Sequence, residues 1–339
     1  MPSPLDLAVR LMSRDSTSGQ EGAALREMEA ILGELGWRVT RIPVAGADRY
    51  SIFACATDDV DVTLSTHLDT VPPYLPSRVD GEILWGRGAC DAKGIAASMV
   101  VAAGRLRDAG VRVGLLFVVG EETTHDGAHA ANAWIAAHLP ARPRVLINGE
   151  PTESTLGLGT KGAQRVIVRT SGKAAHSAYP TMGHSATRDL VLLLAELEGI
   201  AWPSDALLGD TTVNIGSLAG GVADNVFAPW AEARLMFRLV TPASVVQERV
   251  ERWAAGRATL EWGVMVPPVR LGVVDGFPTS VAAFATDIPA LTNWGTPYLF
   301  GPGSIHVAHT NEEHVQVREL DAAAEAYVQL ASRARPAQS

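Results

Sequence analysis

Five short segments of this 339-residue chain leave acidic or histidine side chains where apolar runs end. The first is Ser65-Thr66-His67-Leu68-Asp69-Thr70-Val71-Pro72. On an extended strand end His67 and Asp69 point to the same side, because side chains alternate with period two. A metal-holding histidine usually has a neighbour that fixes its ring, and Asp69 is placed for that task. The second segment, Gly86-Arg87-Gly88-Ala89-Cys90-Asp91-Ala92-Lys93-Gly94, sets an aspartate between glycines at a helix start, where a plain N-cap would use the same residue. The third, Val118-Val119-Gly120-Glu121-Glu122-Thr123-Thr124, puts two adjacent carboxylates after an apolar strand. Buried there without water or a cation, they would be costly. The fourth, Leu146-Ile147-Asn148-Gly149-Glu150-Pro151, again places a glutamate after a buried-looking strand, and the fifth, from Gly301 to Glu313, offers His309.

Two histidines and three or four carboxylates form a nitrogen and oxygen donor set that suits zinc, with cobalt or manganese as substitutes. Two ions sharing a carboxylate would stand ~3.5–4 Å apart and act on both the attacking and the leaving oxygen. A further, non-ligating carboxylate is then needed as general base, and the Glu121-Glu122 pair can provide one ligand and one base.

These residues need elements to carry them. Residues 4–14 and 20–36 read as amphipathic helices, followed by strands at 37–42, 51–56 and 62–67. A helix at 91–109, a strand at 111–119, a helix at 125–138 and a strand at 144–148 follow. Strands alternating with helices predict a mixed sheet flanked by helices, with the active site beyond the strand ends. Past residue 160 the pattern changes to a β-α-β-β-α-β order: 164–170, 185–199, 211–217, 231–239, 243–253 and 259–262. After Pro267-Pro268 the chain returns to the first domain and ends in a helix at 319–334. The expected division is a catalytic domain of 1–161 with 268–339, interrupted by an α+β domain of 162–267.

Composition narrows the classes. With 47% hydrophobic and 19% charged residues the chain can bury a large core. Twenty-eight Lys and Arg against 37 Asp and Glu give a net charge of −9, which argues against general nucleic-acid binding. Two cysteines, Cys55 and Cys90, make no disulfide framework. Neither a signal-peptide pattern nor an uncharged apolar run long enough for a membrane span is visible, so the expected address is the cytoplasm, with no membrane partner.

The segments STHLDTVP, GRGACDAKG, GEET, GEP and AHTNEE, in this order and spacing, resemble the aminoacylase, acetylornithine deacetylase, succinyl-diaminopimelate desuccinylase and carboxypeptidase G family of di-zinc hydrolases. The resemblance covers essentially the whole chain. It implies a zinc-peptidase-like α/β catalytic domain, with His67, Asp91 and Glu150 on one zinc and Glu122, Asp91 and His309 on the other. Asp91 would bridge, Glu121 would be the base, and Asp69 would orient His67. The inserted segment matches that family's ferredoxin-like lid and dimerisation domain, which implies a homodimer. There, His176 in GKAAHSAYP would stabilise an oxyanion, Asn225 matches a family asparagine near the same oxyanion, and Arg238 would hold a substrate carboxylate. The implied reaction is removal of an acyl group from an N-acylated amino acid, such as an ornithine or lysine precursor. The alternative is a dipeptidase or carboxypeptidase, and a non-catalytic metal-binding protein is the reading from another class. Ser304 departs from the pattern, since many relatives carry Asp after the Gly-Pro-Gly turn, and the short chain implies trimmed lid loops.

Other signals carry less. Gly157-Leu158-Gly159-Thr160-Lys161-Gly162 fits a dinucleotide pattern, but a strand-like run follows instead of the required helix. His125 and His129 read as a solvated helix face, and His306 is a rival to His309. Gly183-His184-Ser185-Ala186-Thr187 lacks the last glycine of a serine-hydrolase elbow.

Overall fold

The computed structural model describes residues 1–139 and 141–334, so the last residues of the 268–339 span lie outside it. The chain forms two compact units. One comprises Met1–Leu158, Arg270–Ser280 and the chain from Thr286 onward; the other comprises Gly159–Val269 and Val281–Ala285.

The first unit is built on a six-stranded mixed sheet in the order Arg38–Pro43, Tyr50–Cys55, Val113–Val118, Val62–His67, Val145–Asn148 and Thr296–Leu299. The last four run parallel to one another, and the first two are antiparallel additions. The strands Val62–His67, Val113–Val118 and Val145–Asn148 are buried along their whole length. Continuous apolar runs result, because both sheet faces are covered. Leu115 and Phe117 join the core beneath the helices Pro4–Met12, Lys93–Asp108 and Val317–Ala334, whereas Leu116 and Val118 face the helix Asp126–His138 and Trp294.

Parallel pairing has one consequence for function. The carboxyl ends of four strands emerge at one edge, and the loops leaving them begin with His67, Gly120-Glu121-Glu122, Gly149-Glu150 and Gly301-Pro302-Gly303. Sites in open α/β sheets form at that edge. The strand Thr296–Leu299 is not legible in the sequence, because Pro297 reads as a breaker; it is tolerated on this edge strand, where one side needs no ladder bond.

The second unit is a four-stranded antiparallel sheet in the order Thr212–Gly220, Trp230–Leu239, Gly162–Ser171 and Thr259–Val266. Helices Ala186–Ala195 and Ala243–Ala254 share a core with it. Ala231, Ala233, Leu235, Phe237 and Leu239 alternate inward along one strand, against Leu190, Val246 and Trp253. The long elements follow the expected β-α-β-β-α-β order, with a short hairpin of Ser204–Asp205 and Gly209–Asp210 added after the first helix. The strand beginning at Thr259 runs on to Val266, through a register shift between Trp262 and Met265 that breaks the simple alternation.

Candidate metal centre and active site

His67 closes its strand fully buried. Its Nδ1 lies 2.9 Å from the Asp69 carbonyl. A carbonyl can only accept, so Nδ1 carries the proton there and Nε2 is the nitrogen left to act as ligand. That Nε2 is 3.0 Å from Asp91 Oδ1 and 3.9 Å from Glu150 Oε2. The helix Lys93–Asp108 is entered through Ala92 with no side-chain cap, so Asp91 is not serving as an N-cap. Its other oxygen, Oδ2, is 3.2 Å from His309 Nε2, which is 2.9 Å from Glu122 Oε1. His309 itself adopts a left-handed backbone conformation, φ +63°. Two donor groups therefore form, His67 with Asp91 and Glu150, and Asp91 with Glu122 and His309, each with its ligand atoms within 4.8 Å of one another. Asp91 belongs to both.

The turn carrying Glu121 and Glu122 is fixed from several sides. Asp69 Oδ1 accepts from the Glu121 amide at 3.1 Å, and Oδ2 accepts from the Glu122 amide at 3.2 Å and from Ser18 Oγ at 2.8 Å. The Asp69 carboxylate stands 3.6 Å from the His67 ring, so its short bonds anchor this turn, while its backbone carbonyl makes the short bond to the ring. Gly120 turns the chain at φ +74°, where a Cβ would collide with the Asp126 carboxylate.

Electrostatics test whether a cation fits. Burial pushes the Glu121 carboxyl well above its ordinary range, and the charge of Glu150 adds to it. Burial does the same to Glu150 and raises Glu122. Burial also opposes ionisation of Asp91, but the hydrogen bonds to His309 and His67 outweigh it and hold Asp91 below the usual range. His309 is pushed up to about 10 by Asp91 and then Glu122. Glu150 Oε1 is buried without a hydrogen-bond partner. Four carboxyls around two imidazoles are short of positive charge, which is what divalent cations would supply. The donor set fits them.

The other expected residues lie in the second unit. His176 and Asn225 stand on neighbouring segments: His176 bridges Val226, and the Ser177 amide donates to the Asn225 carbonyl at 2.9 Å. Both are exposed. Arg238 is half-buried on the strand Trp230–Leu239, opposite Ala163 and Thr212 in register. Ser304 Oγ donates to Glu153 Oε1 at 2.6 Å.

His125 differs from its sequence expectation. Its side chain is only 13% exposed, and Nδ1 lies 2.8 Å from the buried Asp287 carboxylate. It precedes the helix Asp126–His138 in a left-handed conformation and closes the Glu121-Glu122 turn by donating its amide to the Gly120 carbonyl at 2.7 Å. Asp287 arrives from a segment 162 residues away, so no local pattern announces the pair. His129 and His306 are exposed and belong to neither donor group.

A cluster of carboxylates with one buried and one exposed imidazole around a shared buried aspartate, at the carboxyl edge of a parallel sheet with a further glutamate beside it, defines a metallohydrolase. Comparison with known proteins narrows this class: the sequence profile of peptidase family M20/M25/M40 matches residues 63–333, and the chain belongs to that family of hydrolases acting on peptide bonds. A protein from Aspergillus terreus (strain NIH 2624 / FGSC A1156) named "Probable carboxypeptidase" is 36% identical over 362 residues, covering 94% of this chain and 84% of its own. A peptidase M20 domain-containing protein of Schizosaccharomyces pombe is 39% identical over 266 residues, covering 76% of this chain and 66% of its own. Among solved structures, an M20 family metallo-carboxypeptidase from Sulfolobus solfataricus shares the fold with a TM-score of 0.79 at 16% identity, over 98% of this chain and 99% of its own. The di-peptidase Dug1p of Saccharomyces cerevisiae aligns with a TM-score of 0.77 at 12% identity, over 99% and 96%.

Proposed function

We propose that this protein is a two-metal peptidase that removes a terminal residue from short peptides, as a carboxypeptidase or dipeptidase. The observation that carries the reading is the pair of donor groups joined at Asp91, with Glu121 close enough to feel the charges of Glu150, His67 and Glu122. The choice of peptide over N-acylated amino acid, the substrate that the sequence alone put first, rests on relatives at 33–39% identity, several of them named as carboxypeptidases. Deacylation of N-acyl amino acids stands second, because both substrate classes offer the same free carboxylate.

Bound zinc, or cobalt or manganese in its place, would lower the pKa of a water and polarise the scissile carbonyl. His67, Asp91 and Glu150 would hold one ion, and Glu122, Asp91 and His309 the other. Glu121 takes the proton of the attacking water and returns it to the leaving amine; burial raises its proton affinity in the direction this exchange needs. Asp69 holds the turn that aims Glu121. In the same reading the 162–267 segment is a lid and dimerisation domain, His176 and Asn225 stabilise the oxyanion, and Arg238 receives the substrate carboxylate. Two buried free thiols support a cytoplasmic setting.

The test is a panel of dipeptides, tripeptides and N-acetyl amino acids assayed with zinc or cobalt, together with Glu121→Ala. That variant is expected to keep two bound ions and to lose about 10²- to 10⁴-fold in kcat. Near-normal turnover would remove Glu121 from the mechanism, and hydrolysis of N-acetyl amino acids alone would replace the peptidase reading by the deacylase one. Light scattering at twice the chain mass is the expected result for the dimer.

A further inference from the structure

Arg87 and Glu313 stand 226 residues apart in sequence and meet fully buried in the first unit. Arg87 Nη1 donates to Glu313 Oε2 at 2.5 Å and to the Thr310 carbonyl at 3.2 Å, and its Nε donates to the Pro73 carbonyl at 3.3 Å. Glu313 Oε1 accepts from the amides of Gly88 at 2.9 Å, Asp91 at 3.2 Å and Cys90 at 3.4 Å. The Gly86 amide closes the contact by donating to the Glu313 carbonyl at 3.0 Å. One ion pair thus grips the amide of Asp91 itself and the residue after His309.

We propose that the Arg87–Glu313 pair is a positioning clamp that sets the distance between Asp91 and His309, and so prepares the site for two cations. The clamp rests on the two-cation reading given above. A buried ion pair contributes little to stability compared with well-packed apolar residues. This pair is not even complete, since Arg87 Nη2 is buried without a partner. What an apolar pair of the same size could not do is hold the amides of Gly88, Cys90 and Asp91 on one loop and the Thr310 carbonyl on another. Neighbours of this kind typically change metal affinity about 10- to 100-fold when they are altered.

The experiment measures zinc binding to the full-length, metal-stripped protein by competition with a chromophoric chelator. Wild type is compared with Glu313→Gln, Arg87→Lys and the double variant Arg87→Met/Glu313→Met, with circular dichroism to confirm folding. Ser98→Ala serves as a control: its buried hydroxyl lies 2.9 Å from the Leu320 carbonyl and 3.1 Å from the Gly94 carbonyl, and it bonds to neither Arg87 nor Glu313. Wild type is expected to take two zinc ions per chain. The double variant, which leaves no lone buried charge, is expected to fold and to bind zinc about 10- to 100-fold more weakly, with Ser98→Ala unchanged. Arg87→Lys, which keeps the charge but cannot span both Thr310 and Glu313, is expected to fall between. A folded double variant that binds two ions with wild-type affinity overturns the clamp while leaving the two-cation reading intact. Wild-type protein that binds no zinc, cobalt or manganese overturns both.

Discussion

Replacing Asp69 by Asn separates two roles that the sequence merges. The side chain is fully buried, and its two oxygens accept from the Glu121 amide, the Glu122 amide and Ser18 Oγ. Asparagine keeps one oxygen, and its amide nitrogen must face a backbone N–H, so at least one of the two backbone bonds is lost. A hydrogen bond to a charged group contributes roughly 1.5–3 kcal/mol. If that energy aims the turn, kcat falls roughly 10- to 150-fold, taking 1.36 kcal/mol per tenfold. KM should change little, because none of the residues proposed to bind the substrate lies on this turn. The His67 ring is bonded to the Asp69 backbone carbonyl, which the substitution leaves in place, so the ion held by His67, Asp91 and Glu150 should be kept, while a weaker hold by Glu122 is offset at saturating zinc. The assay is steady-state hydrolysis of a dipeptide at saturating zinc, beside metal analysis of the same preparations. A folded Asp69→Asn variant that loses zinc but retains wild-type kcat per loaded molecule would refute the anchoring of the turn and return Asp69 to the ring-orienting role.

Other perturbations have equally definite outcomes. Removing metal with a chelator should abolish hydrolysis and lower the midpoint of thermal unfolding, both restored by zinc, because the cations offset the buried carboxylates. His125→Ala strips Asp287 of its imidazole and leaves a buried carboxylate whose Oδ2 is already unpartnered, so urea denaturation should show a loss of about 1–3 kcal/mol. Gly303→Ala forces a Cβ to 2.6 Å from that of Cys90 at φ +77°; it should destabilise by more than about 1 kcal/mol in the same measurement and weaken zinc binding through the adjacent Asp91. Tyr327→Phe removes the hydroxyl bonded to the Phe300 carbonyl at 2.9 Å and should cost about 0.5–1.5 kcal/mol without altering zinc stoichiometry.

The sequence by itself determined the donor types and where they occur. Apolar runs buried on both faces read as parallel strands, and polar residues stranded at the ends of such runs can only face the sheet edge where sites form. That is why His67, Glu121, Glu122 and Glu150 were legible as a set, and why the β-α-β-β-α-β order of the second unit could be read from its periodicity. The division of the donors was implied by the family resemblance, but its physical reason lies only in the tertiary structure. Asp91 joins the two groups because each of its oxygens meets a different imidazole, one 24 residues before it and the other far toward the C-terminus. Asp69 turned out to hold the glutamate turn, and His125 found Asp287 instead of solvent. Each of these is a contact between segments distant in sequence, and a pattern read along the chain has no access to the distance between two strands that are not its neighbours.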